Sequence, residues 1–170
     1  MPRTSYAIAL GSNRRHGRHG RPERVIAAAR DALRDAGLSI LSASSVIRTS
    51  AVGPAGRGFA NAAAIIETDL PPPALLALLK SIERRFGRRR GRRWGARVLD
   101  LDILLWSGGA WPRRPRTGLD RRLVVPHRAL AERAFVLDPL VRIAPRWRHP
   151  ITGRTTGQMQ ARLRRRRPIG

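Results

Sequence analysis

Two carboxylates spaced two residues apart inside an apolar run are the sharpest chemical feature of this sequence. In Val98-Leu99-Asp100-Leu101-Asp102-Ile103-Leu104-Leu105, strand alternation predicts Leu99, Leu101, Ile103 and Leu105 on one face and Asp100 and Asp102 on the other. Same-face neighbours in a strand lie about 6.5–7 Å apart at Cα, so two carboxylates can converge on one cation. Held that close without a cation, they repel. The plain alternative is a polar strip on an ordinary solvent-facing strand. Against it stand Arg84, Arg85, Arg88, Arg89, Arg90, Arg92, Arg93 and Arg97, immediately upstream. Guanidinium forks match phosphate oxygens, and a basic loop beside a carboxylate pair is what a nucleoside triphosphate needs for neutralisation. Oxygen ligands point to magnesium, so the pair predicts magnesium-dependent phosphoryl or pyrophosphoryl transfer. A Walker-type kinase is excluded: the Gly-Lys-Ser/Thr ending of a P-loop is missing, and the only lysine, Lys80, falls inside a helical pattern.

The composition bounds the rest. A length of 170 residues with 42% hydrophobic content fits one domain with its own core. We expect that domain over 1–160, followed by a flexible Arg-rich tail over 161–170. No apolar run reaches the roughly 18 residues of a membrane span, and the opening residues lack a signal-peptide core, so a cytoplasmic protein without membrane contact is expected. Without cysteines, disulfides, thiolate metal sites and cysteine nucleophiles are excluded. The 35 basic residues against 11 acidic give a net charge of +24. Two readings stand: a surface that attracts polyanions, or a codon bias towards Arg that decorates any solvated face.

Several elements must position the carboxylates. Tyr6 to Leu10 reads as a buried strand ending in Gly11-Ser12-Asn13. Pro22 opens a helix with Val25, Ile26, Ala29 and Leu33 on one stripe, closed by Gly37. Leu38 to Thr49 and Phe59 to Thr68 read as strands joined by a loop at Gly53-Pro54. A second helix runs from Pro72, with Leu75, Leu76, Leu78, Leu79 and Ile82, to near Gly87. Val98 to Trp106 completes the order strand, helix, strand, strand, helix, strand. That order predicts an α+β fold, a ferredoxin-like βαββαβ sandwich with an antiparallel sheet and C-terminal additions. The two helices should cover one sheet face and leave the other available. The additions comprise a turn at Pro126-His127, a short helix over Phe135 to Ile143, and an amphipathic stretch after Thr155.

The run Gly87 to Leu105 resembles the signature of the 6-hydroxymethyl-7,8-dihydropterin pyrophosphokinase family. Other blocks agree in order: AlaIleAlaLeuGlySerAsn, ArgThrSerAlaValGlyPro, PheAlaAsnAlaAla, LeuValValProHis and GluArgAlaPheValLeuAspProLeu. The similarity extends from about Tyr6 to Pro145. It implies an enzyme of folate (tetrahydrofolate) biosynthesis that moves pyrophosphate from ATP to the pterin hydroxymethyl group and releases AMP. By resemblance, Asp100 and Asp102 hold two magnesium ions that bridge the ATP phosphates, and an aspartate can take the hydroxyl proton. Arg88 and Arg97 contact phosphate and, with Arg90 and Trp94, belong to a loop that closes over the substrates. His127, Arg122, Arg133 and Glu83 fall on the nucleotide side. Phe59 and Phe135 sandwich the pterin, Asn61 bonds its edge, and Thr49 and Val52 offer nearby backbone.

The sequence departs from the family pattern in a loop one residue shorter between Arg88 and Trp94, in Ala96 for a usual proline, in Lys80 for a frequent glutamine, and in Arg128 for an aromatic residue. None removes an implied metal ligand or key arginine. A nucleic-acid module is the rival reading, because a sheet of this kind with high positive charge superficially resembles an RNA recognition motif. Asp100 and Asp102 would repel a phosphate backbone, so small-molecule substrates are expected, and separately the protein is expected to be a monomer.

Overall fold

The computed structural model describes residues 2–49, 58–87, 98–113 and 123–166. The elements of the sheet half follow in the order β1 (Thr4–Ser12), α1 (Pro22–Asp35), β2 (Ser39–Ala43), β3 (Ile47–Thr49), β4 (Phe59–Thr68), α2 (Pro72–Arg85) and β5 (Asp100–Trp106). Both helices begin at proline, whose fixed φ suits a first turn. Past the end of α1, Gly37 takes a φ of +87° and lets the Leu38 N–H return to the Leu33 carbonyl at 3.1 Å.

All described strand pairs are antiparallel, in the order β2-β4-β1-β5, with β3 beside the start of β4. The fold is α+β with an antiparallel sheet. The single strand expected from Leu38 to Thr49 is two. Both pair with β4, but Ala43 faces Ala64 and Ile47 faces Asn61, four steps along one chain against three along the other. The break falls at buried Ser44, whose hydroxyl accepts the Ala63 N–H at 2.9 Å.

On the first face, Tyr6, Ile8 and Leu10 of β1, Ala62 and Ile66 of β4, and Leu101 and Ile103 of β5 bury against α1 and α2. The second face is not left bare as expected. Helices α3 (Ala134–Ile143) and α4 (Thr156–Arg166) set Val136, Leu137, Leu140 and Met159 on Ala7, Ala63, Ile65 and Leu105. Leu105 is a second correction. Ala7 pairs with Leu105 but Ile8 with Ile103, so Leu104 is an extra residue and the bulge turns Leu105 to the opposite face from Leu101. The stretch from residue 161, expected as the start of the tail, is helical through Arg166. Leu163 packs on the second core and Arg164 lies 3.6 Å from Asp138. Among the described residues, no helix is long and apolar enough to cross a membrane.

Candidate active site

Helices α3 and α4 cover the second face at only one end of the strands. Towards the other end, the register places Ala9 between Ala63 and Asp102, and Gly11 between Asn61 and Asp100. Phe59 follows at the start of β4, opposite Thr49. One row across three neighbouring strands is therefore amide, glycine, carboxylate. With strands about 4.8 Å apart, the two polar residues stand roughly 10 Å from each other at the backbone. Gly11 is the floor between them. A Cβ there would sit 3.2 Å from Asn61 Oδ1, closer than ordinary contact. Sequence reasoning treated Gly11 only as part of a turn; its pairing with both polar residues appears once the register is known.

The carboxylates occupy the free side of the sheet, because β5 pairs only with β1 among the described residues. The Asp102 side chain is 35% exposed, with the Lys80 ammonium 3.8 Å from its Oδ1. Glu83, implied as a nucleotide contact, is fully buried. Its Oε1 accepts the Leu101 N–H at 2.7 Å and the Lys80 ammonium at 2.8 Å. Glu83 thus anchors the strand that carries the aspartates. Lys80, noted in the sequence as the sole lysine and as a departure from the family pattern, completes that anchor by donating to the Leu101 carbonyl at 3.1 Å.

His127 adjoins the same strand: its N–H donates to the Leu104 carbonyl at 2.9 Å, and its Nδ1 accepts the Ala129 N–H at 3.1 Å. With Nδ1 used as an acceptor, a neutral ring carries its proton on Nε2, as a donor. Phe59 and Phe135 are 43% and 44% exposed, which a core role does not explain. Arg133 lies with its guanidinium carbon 5.7 Å from the centre of the Phe135 ring. Thr49 is exposed at the end of β3. Val52, Arg88, Arg90, Trp94, Arg97 and Arg122 lie outside the described residues, as does Ala96.

Among the described residues, no three His, Asp or Glu side chains gather into a metal cage. Two hard carboxylates on one exposed face fit magnesium, which is commonly held by one or two carboxylates and completed by substrate phosphates and water.

An antiparallel α+β domain with two carboxylates and an amide towards one end of its sheet is the class that the fold and site define. The comparisons narrow that class. The model of the 7,8-dihydro-6-hydroxymethylpterin-pyrophosphokinase family matches residues 7–145, and the chain belongs to that family. It is 44% identical over 110 residues to a 2-amino-4-hydroxy-6-hydroxymethyldihydropteridine pyrophosphokinase of Methylorubrum extorquens, covering 64% of this chain and 65% of that relative's length. It is 41% identical over 146 residues to the protein of that name from Pseudomonas aeruginosa, covering 84% of this chain and 82% of that one. A crystal structure of an HPPK-DHPS in complex with substrates matches with a TM-score of 0.68 at 13% identity, over 95% of this chain and 45% of that one. That likeness shows the fold.

Proposed function

We propose that this chain transfers pyrophosphate from ATP to the hydroxymethyl group of 6-hydroxymethyl-7,8-dihydropterin, giving AMP and the pterin diphosphate, in folate biosynthesis. The observation that carries the reading is the row Asn61–Gly11–Asp100, with Asp102 beside it, inside the stretch matched by the family model. The pterin lies flat between Phe59 and Phe135, and Asn61 bonds its edge. Its hydroxymethyl oxygen attacks the β-phosphorus as the bond from that phosphorus to the α-phosphate oxygen breaks. AMP leaves with that oxygen, and the hydroxyl proton passes to a carboxylate of the aspartate pair. Bound between Asp100, Asp102 and the phosphates, two magnesium ions would supply the charge neutralisation that a loose phosphoryl transition state requires.

The remaining work falls to the chain. Glu83 and Lys80 fix the strand that carries the carboxylates, and His127 presents Nε2–H as a donor to phosphate. Arg133, Arg88, Arg90, Arg97 and Arg122 add cationic donors on the nucleotide side. The reading includes a ferredoxin-like description of the sheet half, which the strand order β2-β4-β1-β5 supports, and a monomeric cytoplasmic enzyme. The test is AMP formation from ATP by purified protein, with and without the pterin, and with magnesium chelated. AMP that needs both pterin and magnesium is expected; pterin-independent ATP hydrolysis would defeat the reading.

A further inference from the structure

Leu101 lies between the two aspartates on a strand that, among the described residues, pairs only with β1, yet neither its N–H nor its carbonyl is bare. Glu83 takes the N–H at 2.7 Å and Lys80 the carbonyl at 3.1 Å, while the two side chains bond each other at 2.8 Å. One ion pair thus imitates a neighbouring strand for a single residue and holds the backbone from Asp100 to Asp102 in place. Helix α2 packs on the first face and Asp102 stands on the second, so Lys80 reaches around the sheet edge. That places its ammonium 3.8 Å from Asp102 Oδ1. The two side chains are 29% and 35% exposed, leaving the pair partly shielded from solvent.

We propose that Lys80 is a positioning residue that also serves as the resident counter-cation of Asp102, competing with the first divalent ion to enter the site. The proposal rests on the reading of Asp100 and Asp102 as metal ligands. A dication on Asp102 would face the ammonium, and at a separation of about 4–5 Å even the dielectric of water leaves a repulsion that weakens binding by roughly twentyfold. ATP relieves it, because its phosphates give the ammonium and the metal a shared anion. Metal therefore enters with nucleotide in preference to entering alone.

The test is manganese binding to the full chain, followed by electron paramagnetic resonance with and without ATP, in the wild type, Lys80→Gln, Lys80→Arg and Asp102→Asn. Without ATP, Lys80→Gln should bind manganese roughly twentyfold more tightly than wild type, Lys80→Arg should stay within about twofold, and Asp102→Asn should bind more weakly. With ATP, the gain in Lys80→Gln should shrink. Unchanged or weaker binding by Lys80→Gln, with Asp102→Asn weakened, would overturn the role of Lys80 alone. Wild-type binding by Asp102→Asn would overturn the metal reading beneath it. Should Lys80→Gln not fold, the wild type supplies the answer, since its only lysine gives one side-chain ammonium signal. That signal should shift as magnesium is titrated in, and a stationary signal would refute the proposal.

Discussion

Gly11→Ala is a one-methyl change whose consequence follows from the geometry of the site floor. The new Cβ would stand 3.2 Å from Asn61 Oδ1, where ordinary contact begins at 3.4 Å, so the amide must retreat by a few tenths of an ångström. Gly11 has no positive φ, so alanine adds no backbone strain, and removing a strand glycine favours folding by about 0.5–1 kcal/mol. Activity and stability should then separate. An amide displaced from the pterin edge forfeits most of one neutral hydrogen bond, about 1 kcal/mol, which raises the KM for pterin about fivefold. Gly11→Val adds two more methyl groups between Asn61 and Asp100 and should lower kcat/KM by about a hundredfold or more, roughly 3 kcal/mol. Steady-state AMP formation at varied pterin, with thermal unfolding by circular dichroism, reads both quantities. A Gly11→Ala protein with wild-type KM, or one that loses about 2 kcal/mol of stability at unchanged KM, would refute the assignment of Gly11 as the floor beneath Asn61.

Phe59→Ala and Phe135→Ala should each weaken pterin binding at least about tenfold, measured by calorimetry, while changing stability by under about 1 kcal/mol; a loss of about 3–5 kcal/mol would mark core residues instead. Glu83→Ala strands the Leu101 N–H and removes the buried carboxylate that pairs with Lys80, and should cost about 3 kcal/mol in urea unfolding, with Glu83→Gln retaining part of it through the amide oxygen. Burial holds the His149 imidazole below its ordinary value of 6.5, and its Nδ1 accepts the Ile151 and Thr152 N–H groups at 3.2 Å. Because the unfolded chain takes up that proton more readily, the contribution of His149 is complete above the unfolded value and declines as pH falls towards the folded one. Urea midpoints at pH 7.5 and 5 should therefore differ more for wild type than for His149→Gln, and equal differences would exclude the effect.

Local rules made the sheet half readable because each acts over a few residues. The bounds Phe59–Thr68 follow from a continuous apolar centre, and Pro22, Pro72 and Gly37 mark helix ends through fixed or positive φ. Alternation put Asp100 and Asp102 on one face because the bulge comes after them; it misplaced Leu105 because no local signal announces Leu104 as an extra residue. The cover over the second face depends on α3 and α4 meeting β4 and β1 from far along the chain, which no periodicity encodes. The anchor on Leu101 was invisible for the same reason. Lys80 and Glu83 lie three residues apart on a helix, but their shared target is on another strand. Phe59, Phe135 and Asn61 came from family resemblance, and their exposure or register supplies a physical reason to keep them at the site.

The most direct measurement is phosphorus NMR of a reaction containing the protein, magnesium, ATP and hydroxymethyldihydropterin. Pyrophosphate transfer at the Asp100–Asp102 site predicts AMP as the nucleotide product and two coupled phosphorus signals on the pterin, both lost in Asp100→Ala. The appearance of ADP with a single phosphorus on the pterin, or full product formation by Asp100→Ala, would contradict it.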